Sequence, residues 1–229
     1  MVMGQGIIFD FDGLIVDTEL PEYQSWQEIY ESYGCSLPLA EWVKLIGAGY
    51  ASGRFDPYDY LEEQLGQPVD REGVRLKRRQ HSAQLQALQP VLPGVHDYIS
   101  SAKRLRLRLG IASSSPRHWV AGHLARLRLN QHFECVKCAE DVTKTKPDPE
   151  LYLSVLDALE LAPDDAIALE DSPNGILAAK RAGIFCVAVP NALTSQLAFD
   201  HADLVLSSLE ELSPEDLLVK ARGGRSVLQ

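Results

Sequence analysis

Short apolar runs separated by amphipathic stretches set the rhythm of this chain. Gly6 to Asp10, Leu107 to Ala112, Phe133 to Lys137, Ala166 to Glu170, Ile184 to Val189 and Leu204 to Leu206 are apolar, partly β-branched and too short for helices, so each predicts a strand. Between the later runs lie Pro116 to Leu129, Pro149 to Leu161 and Pro173 to Ala182. Each opens on a proline at or near a first turn, where the missing N–H is not needed, and each predicts a helix. Strand and helix in alternation predict right-handed βαβ crossovers. The fold class is therefore α/β, a doubly wound, Rossmann-like parallel sheet with ligands at the carboxyl ends of its strands.

One interval breaks the rhythm, because about ninety residues before Leu107 contain no strand-like run. Tyr23, Trp26, Tyr30 and Tyr33 recur at the spacing of one helix face, and Tyr60, Leu61, Leu65 and then Val74 to Leu88 continue the helical period. The aromatic stripe reads as the core of a small helical unit. Pro90, Pro93 and Gly94 punctuate the return. The expected organisation is an α/β core from residues 1–17 and 91–229, with an α-helical domain inserted at 18–90.

Charge narrows the range of partners. The 229 residues carry 22 Lys and Arg against 32 Asp and Glu, a net −10, which repels a polyphosphate backbone and argues against nucleic-acid binding. The basic runs Arg75, Lys77, Arg78, Arg79 and Lys103, Arg104, Arg106, Arg108 read as solvated faces. No apolar run approaches the roughly 18 residues a membrane helix needs, and the start has no charged-then-apolar signal pattern, so a cytoplasmic protein without a membrane partner is expected. A monomer is the expected state. Four cysteines do not make a disulfide scaffold. The CxxC pair Cys135 and Cys138 lacks the second pair of a structural zinc site and reads as buried thiols.

Four segments carry chemistry, each at the end of a predicted strand. In DFDGLIVDTE, Asp10 and Asp12 follow Ile7 to Phe9, and Gly13 lets the chain turn so that both acids line one pocket. Such a pair repels unless a cation or a proton resolves it, although an Asp-Gly turn also suits solvated acids. Ser113, Ser114 and Ser115 follow Gly110 to Ala112 and precede a helix, offering hydroxyl and N–H donors to an anion or, equally, helix caps. Lys146 in KTKPDPE can balance clustered negative charge, or be solvated. Glu170 and Asp171 in ALEDSPNG suit Mg²⁺ through hard oxygens, or a helix N-terminus.

DFDGLIVDTE, IASSS, KPDP and LEDSPNGILAA, in this order and spacing, resemble the four motifs of the haloacid dehalogenase superfamily. The likeness spans nearly the whole chain and is closest to the β-phosphoglucomutase-like phosphatases, whose helical cap is inserted just after the first motif. The resemblance implies a Mg²⁺-dependent phosphoric monoester hydrolase acting on a small phosphorylated metabolite through an aspartyl phosphate. Asp10 then corresponds to the nucleophile and Asp12 to the general acid and base, its carbonyl also a metal ligand. Ser113 and the N–H of Ser114 correspond to the phosphate-binding donors, and Lys146 to the balancing cation. Asp171 corresponds to a metal ligand, and Glu170 to a ligand or a partner through water. Asp12 speaks against dehalogenation, since halide needs no protonation.

The cap is the least patterned region and decides between hydrolysis and isomerisation. A mutase would carry a hinge histidine where Glu22 stands and a cap arginine near Tyr50, and an acidic Glu22 would repel an anionic sugar phosphate. Arg54, Lys44 and Lys77 are candidate substrate contacts. The alternatives to a phosphatase are a sugar-phosphate mutase and a non-catalytic binding module that kept the fold.

Overall fold

The computed structural model describes residues 5–43 and 55–225. Six parallel strands form one sheet: β1 (Gly6–Phe9), β2 (Arg108–Ala112), β3 (Cys135–Lys137), β4 (Ala166–Glu170), β5 (Phe185–Ala188) and β6 (Leu204–Val205). Their order is β3-β2-β1-β4-β5-β6. The order reverses at β1, and the crevice at such a reversal is where an open α/β sheet binds ligands.

Alternation along the strands explains the layers. Ile7, Phe9, Leu109, Ile111, Ile167, Leu169 and Val187 point to one face. Against it pack α5 (Val95–Leu105), α6 (Arg117–Arg126) and α9 (Pro214–Arg225). Ile8, Ala112, Ala166, Ala168, Cys186 and Ala188 point to the other, against α7 (Glu150–Ala158) and α8 (Pro173–Arg181). With both faces covered, the strands read as continuous apolar runs, which is why they stood out in the sequence.

The stretch between β1 and α5 is helical, with α1 (Glu19–Ser32), α2 (Leu39–Trp42), α3 (Pro57–Leu65) and α4 (Arg71–Leu88). Tyr23, Trp26, Tyr30, Trp42, Leu61 and Val74 form a cluster of their own, joined by Leu193 from the loop after β5. Tyr33 is not part of it. It lies at the C-terminal cap of α1, where the backbone turns into Gly34 at φ +73°, and is 40% exposed. The chain leaves and re-enters the sheet region by paired passes: Val16 bridges Val91, and the Leu92 N–H donates to Ile15 O at 2.9 Å.

Two electrostatic expectations change. Arg78 does not share the solvated face of Arg75, Lys77 and Arg79; it turns inward, pairs with Glu22 and lies over the Trp26 ring at 5.2 Å. Glu22 also accepts from Ser82 Oγ at 2.7 Å, so it is an ion-paired, hydrogen-bonded acid within the helical layer and not a free charge facing a ligand. Lys77 is exposed. Lys44, Tyr50 and Arg54 lie outside the described residues. The four cysteines are free thiols, Cys138 and Cys186 buried. Among the described residues no helix is long and apolar enough to cross a membrane.

Candidate active site

Strand register assembles the site. Phe9 lies beside Leu169 on β4 and Ile111 on β2, so Asp10 and Glu170, one residue further along, and Ser113, two further along and just past the end of β2, emerge together at the carboxyl edge of the sheet. The ladder reaches the site itself, because the Asp10 N–H donates to Leu169 O at 2.9 Å and the Ser113 N–H to Lys137 O at 2.9 Å. The acids are therefore anchored to the hydrogen-bonded ends of the sheet's strands.

Asp10, Glu170 and Asp171 are buried and offer carboxylate oxygens that all lie within 4.8 Å of one another. Lys146 reaches into this group, donating to Asp10 Oδ1 and, at 2.6 Å, to Glu170 Oε1; its side chain is only 6% exposed. The solvated-lysine alternative is thereby excluded. Tyr152, buried on α7, donates its hydroxyl to the same Glu170 oxygen at 2.6 Å. Asn191 donates to Asp171 Oδ2 at 2.8 Å, and its amide is fixed in that orientation because Oδ1 accepts the N–H groups of Leu193 and Thr194, each at 2.9 Å.

Burial dominates the energetics of these groups. It pushes the Asp10 carboxyl up to about 8, against the pull of Lys146 and with the push of Glu170. Burial, followed by the charges of Glu19, Asp10 and Glu170, carries Asp171 well above the usual carboxylate range. For Lys146 burial acts downward, but Asp10 and Glu170 outweigh it and hold the ammonium above its ordinary value. Three buried acids share one ammonium, so protons or a further cation must offset the charge that Lys146 does not. Hard oxygens at this spacing suit a divalent cation such as Mg²⁺.

Two glycines are required by this crowding. A Cβ on Gly13, whose φ is +81°, would meet Asp171 Oδ2 at 2.1 Å. A Cβ on Gly175, in the first turn of α8, would fall 1.9–2.0 Å from the Glu170 carboxylate. Backbone and carboxylates touch with no room for a side chain.

Asp12 faces a different environment. Its Oδ1 accepts from Thr18 Oγ1 at 2.8 Å and Trp119 Nε1 at 2.9 Å, and its Oδ2 accepts from Ser115 Oγ at 2.6 Å with Ser113 Oγ at 3.4 Å. Thr18 holds the N-cap position of α1 yet makes no cap bond with its side chain. Asp17 Oδ1 accepts the Glu19 and Leu20 amides instead, at 3.2 and 2.9 Å.

The structure thus brings together Asp10, Lys146, Glu170 and Asp171, with Asp12 and Ser113 alongside, while Ser114 is exposed on the turn between β2 and α6. The serines do not cap α6: its N-cap is Pro116, and the Arg117 amide donates to Glu140 at 2.9 and 3.1 Å. The cap of α8 is Ser172, accepting from the Gly175 N–H at 3.2 Å, and not the two acids before it. Sequence reasoning missed Thr18, Ser115, Trp119, Tyr152 and Asn191 as partners of the acids. Ser115 had a signal in its serine run; Tyr152 reads only as an apolar position of its helix.

Comparison with known proteins agrees with this geometry. Residues 7–189 match the family model of the haloacid dehalogenase-like hydrolases. The "Putative phosphatase YhcW" of Bacillus subtilis is 46% identical over 210 residues, covering 92% of this chain and 94% of that protein. Hexitol phosphatase B of Escherichia coli is 31% identical, covering 92% of this chain and 95% of its own. CbbY from Rhodobacter sphaeroides, solved with xylulose-(1,5)bisphosphate, superposes with a TM-score of 0.67 at 26% identity, covering 92% of this chain and 96% of that one. Sheet order, buried acids and relatives agree: the chain belongs to the haloacid dehalogenase-like hydrolase family, on its phosphatase branch.

Proposed function

We propose that the chain is a Mg²⁺-dependent phosphatase that hydrolyses a small phosphorylated metabolite, with a sugar or polyol phosphate as the substrate class, through an aspartyl phosphate on Asp10. The observation that carries the reading is the convergence of three buried carboxylates and Lys146 at the ends of adjacent parallel strands. A carboxylate oxygen of Asp10 attacks phosphorus, the bond to the leaving oxygen breaks, and Asp12 gives that oxygen its proton. Water then attacks phosphorus, Asp12 takes the water proton, and the bond to Asp10 breaks to release inorganic phosphate. Ser113 and the Ser114 N–H hold the phosphoryl group, and Lys146 pulls Asp10 toward the ionised form that attacks. Asp10, Asp171, the Asp12 carbonyl and Glu170, directly or through water, would hold Mg²⁺, which when bound neutralises the acids and the charge developing on the phosphoryl oxygens.

The helical insertion at 18–90 is assigned as the cap that admits the substrate. Relatives support the substrate class, since they include a hexitol phosphatase and a phosphatase of phosphorylated carbohydrates. The mutase reading is disfavoured because Glu22, in place of a hinge histidine, is engaged by Arg78 and Ser82.

The test is phosphate release from a panel of sugar and polyol phosphates, with and without chelator, beside a coupled readout of glucose 6-phosphate formed from β-glucose 1-phosphate. Release that needs Mg²⁺ and is abolished in Asp10→Asn is expected. Full activity in excess chelator, retained turnover in Asp10→Asn, or isomerisation outpacing release each overturns the reading.

A further inference from the structure

The two oxygens of Asp12 have partners of different kinds. Oδ2 faces the hydroxyls of Ser115 and Ser113, and a hydroxyl turns freely between donating and accepting. Oδ1 faces the Thr18 hydroxyl and the indole N–H of Trp119, which only donates. A proton on Oδ1 would meet the indole hydrogen head-on, whereas a proton on Oδ2 needs only the Ser115 hydroxyl to reverse. The indole is braced in place. Its ring packs edge-on against His123 at 4.5 Å, and His123 in turn packs against the fully buried Phe11 at 6.1 Å. Burial and then Arg126 lower the His123 pKa, against the opposing effect of Asp12.

We infer that Trp119 is a positioning residue that keeps the transferable proton of Asp12 on Oδ2, the oxygen turned toward Ser113 and Ser115. The inference rests on the assignment of Asp12 as the general acid and base, and goes beyond it by naming which oxygen works and what selects it. Trp119 itself donates to the carboxylate and takes no part in bond breaking. Without its N–H, Oδ1 keeps only the Thr18 hydroxyl, which can accept as well as donate, and the proton distributes over both oxygens. Proton delivery to a poor leaving group then suffers, while attack by Asp10 does not.

The experiment uses the Mg²⁺-loaded full chain and compares Trp119→Phe, which keeps an aromatic ring and loses the donor, with Trp119→His, which keeps a ring N–H, and with Asp12→Ala. kcat and KM are measured for glycerol 2-phosphate and for p-nitrophenyl phosphate, whose leaving group departs with little need of a proton. Loss of one hydrogen bond to a charged acceptor predicts that Trp119→Phe lowers the alkyl-to-aryl ratio of kcat about tenfold, with KM for the alkyl ester moving less than about twofold. Trp119→His is expected to recover most of that ratio. An unchanged ratio in Trp119→Phe, or equal losses on both substrates, overturns the inference. Asp12→Ala separates the two levels of the argument: if it too keeps the parental ratio, the acid assignment has failed, and if it alone loses the ratio, only the role of Trp119 has. The Trp119 indole ¹H–¹⁵N resonance gives a second measure that does not depend on whether Trp119→Phe folds. It is expected to move in Asp12→Ala, and an unmoved resonance refutes the contact.

Discussion

Replacing Lys146 by methionine removes a buried charge while keeping most of its apolar stem. In the native fold the ammonium is shared between Asp10 and Glu170, and the side chain is 6% exposed. Removing one partner of a buried ion pair costs about 3–5 kcal/mol, because the remaining charge is left uncompensated. Here part of that cost is absent, because burial carries Asp10 to about 8 even beside Lys146, so Asp10 already holds a proton at neutral pH and Glu170 is the acid left without its cation. The lower end of the range follows, about 3 kcal/mol, which for a chain of this size lowers the melting temperature in chelator by roughly 6–12 °C. Mg²⁺ changes the comparison, since without Lys146 no ammonium competes with a divalent cation for the carboxylate oxygens, and the variant gains more from binding one. Lys146→Met is therefore expected to show a larger rise in melting temperature on Mg²⁺ addition than the parent, together with loss of turnover. Thermal melts in chelator and in Mg²⁺, with Mn²⁺ binding followed by EPR, measure both effects. A variant that melts with the parent in chelator refutes the buried ion pair, and equal Mg²⁺ stabilisation of the two proteins refutes the carboxylates as the cation site.

Metal-free protein is expected to lose stability as pH rises. Asp10 goes from an ordinary 3.8 to about 8 and Glu19 from 4.5 to about 7, both chiefly through burial, so between those values the folded state holds protons that the unfolded state has released. Melting temperatures in chelator should fall from pH 5 to pH 8 and fall less in Mg²⁺; a rise would contradict the sign. Gly175→Ala forces the Glu170 carboxylate to move, because the new Cβ would sit 1.9 Å from it. It should cost about 1–3 kcal/mol in denaturant unfolding and weaken Mn²⁺ binding, and parental values for both would refute the crowding. Tyr152→Phe removes one donor to the Glu170 carboxylate inside the core and should cost about 1.5–3 kcal/mol by the same measurement, whereas a neutral effect would mean that Lys146 alone satisfies that oxygen.

The sheet was legible because the central strands, covered on both faces, are apolar along nearly their whole length, and all six strands fall within or on the runs read from the pattern. The acids were legible because each directly follows or ends such a run. Their supporting donors were hidden for a physical reason: Trp119, Tyr152 and Asn191 reach the acids only across the packed interior, over 107, 18 and 20 positions of chain. No local spacing encodes those meetings. Tyr33 shows the limit of periodicity, which continues a stripe one step past the residue where the backbone leaves the helix. Arg78 shows another, since a charge in a basic run turned inward to meet Glu22, 56 positions away.

The division of labour between Asp17 and Thr18 has a mechanical meaning. A helix start normally relies on its N-cap side chain, and breaking that bond frays the first turn at about 1 kcal/mol. In α1 the amides are satisfied by Asp17, one residue earlier, which leaves the Thr18 hydroxyl free of any structural duty to its own helix. Thr18 can therefore release Asp12 and bond to something else without loosening α1. The joint between the helical insertion and the acid behaves as a detachable contact on a helix end that stays closed either way.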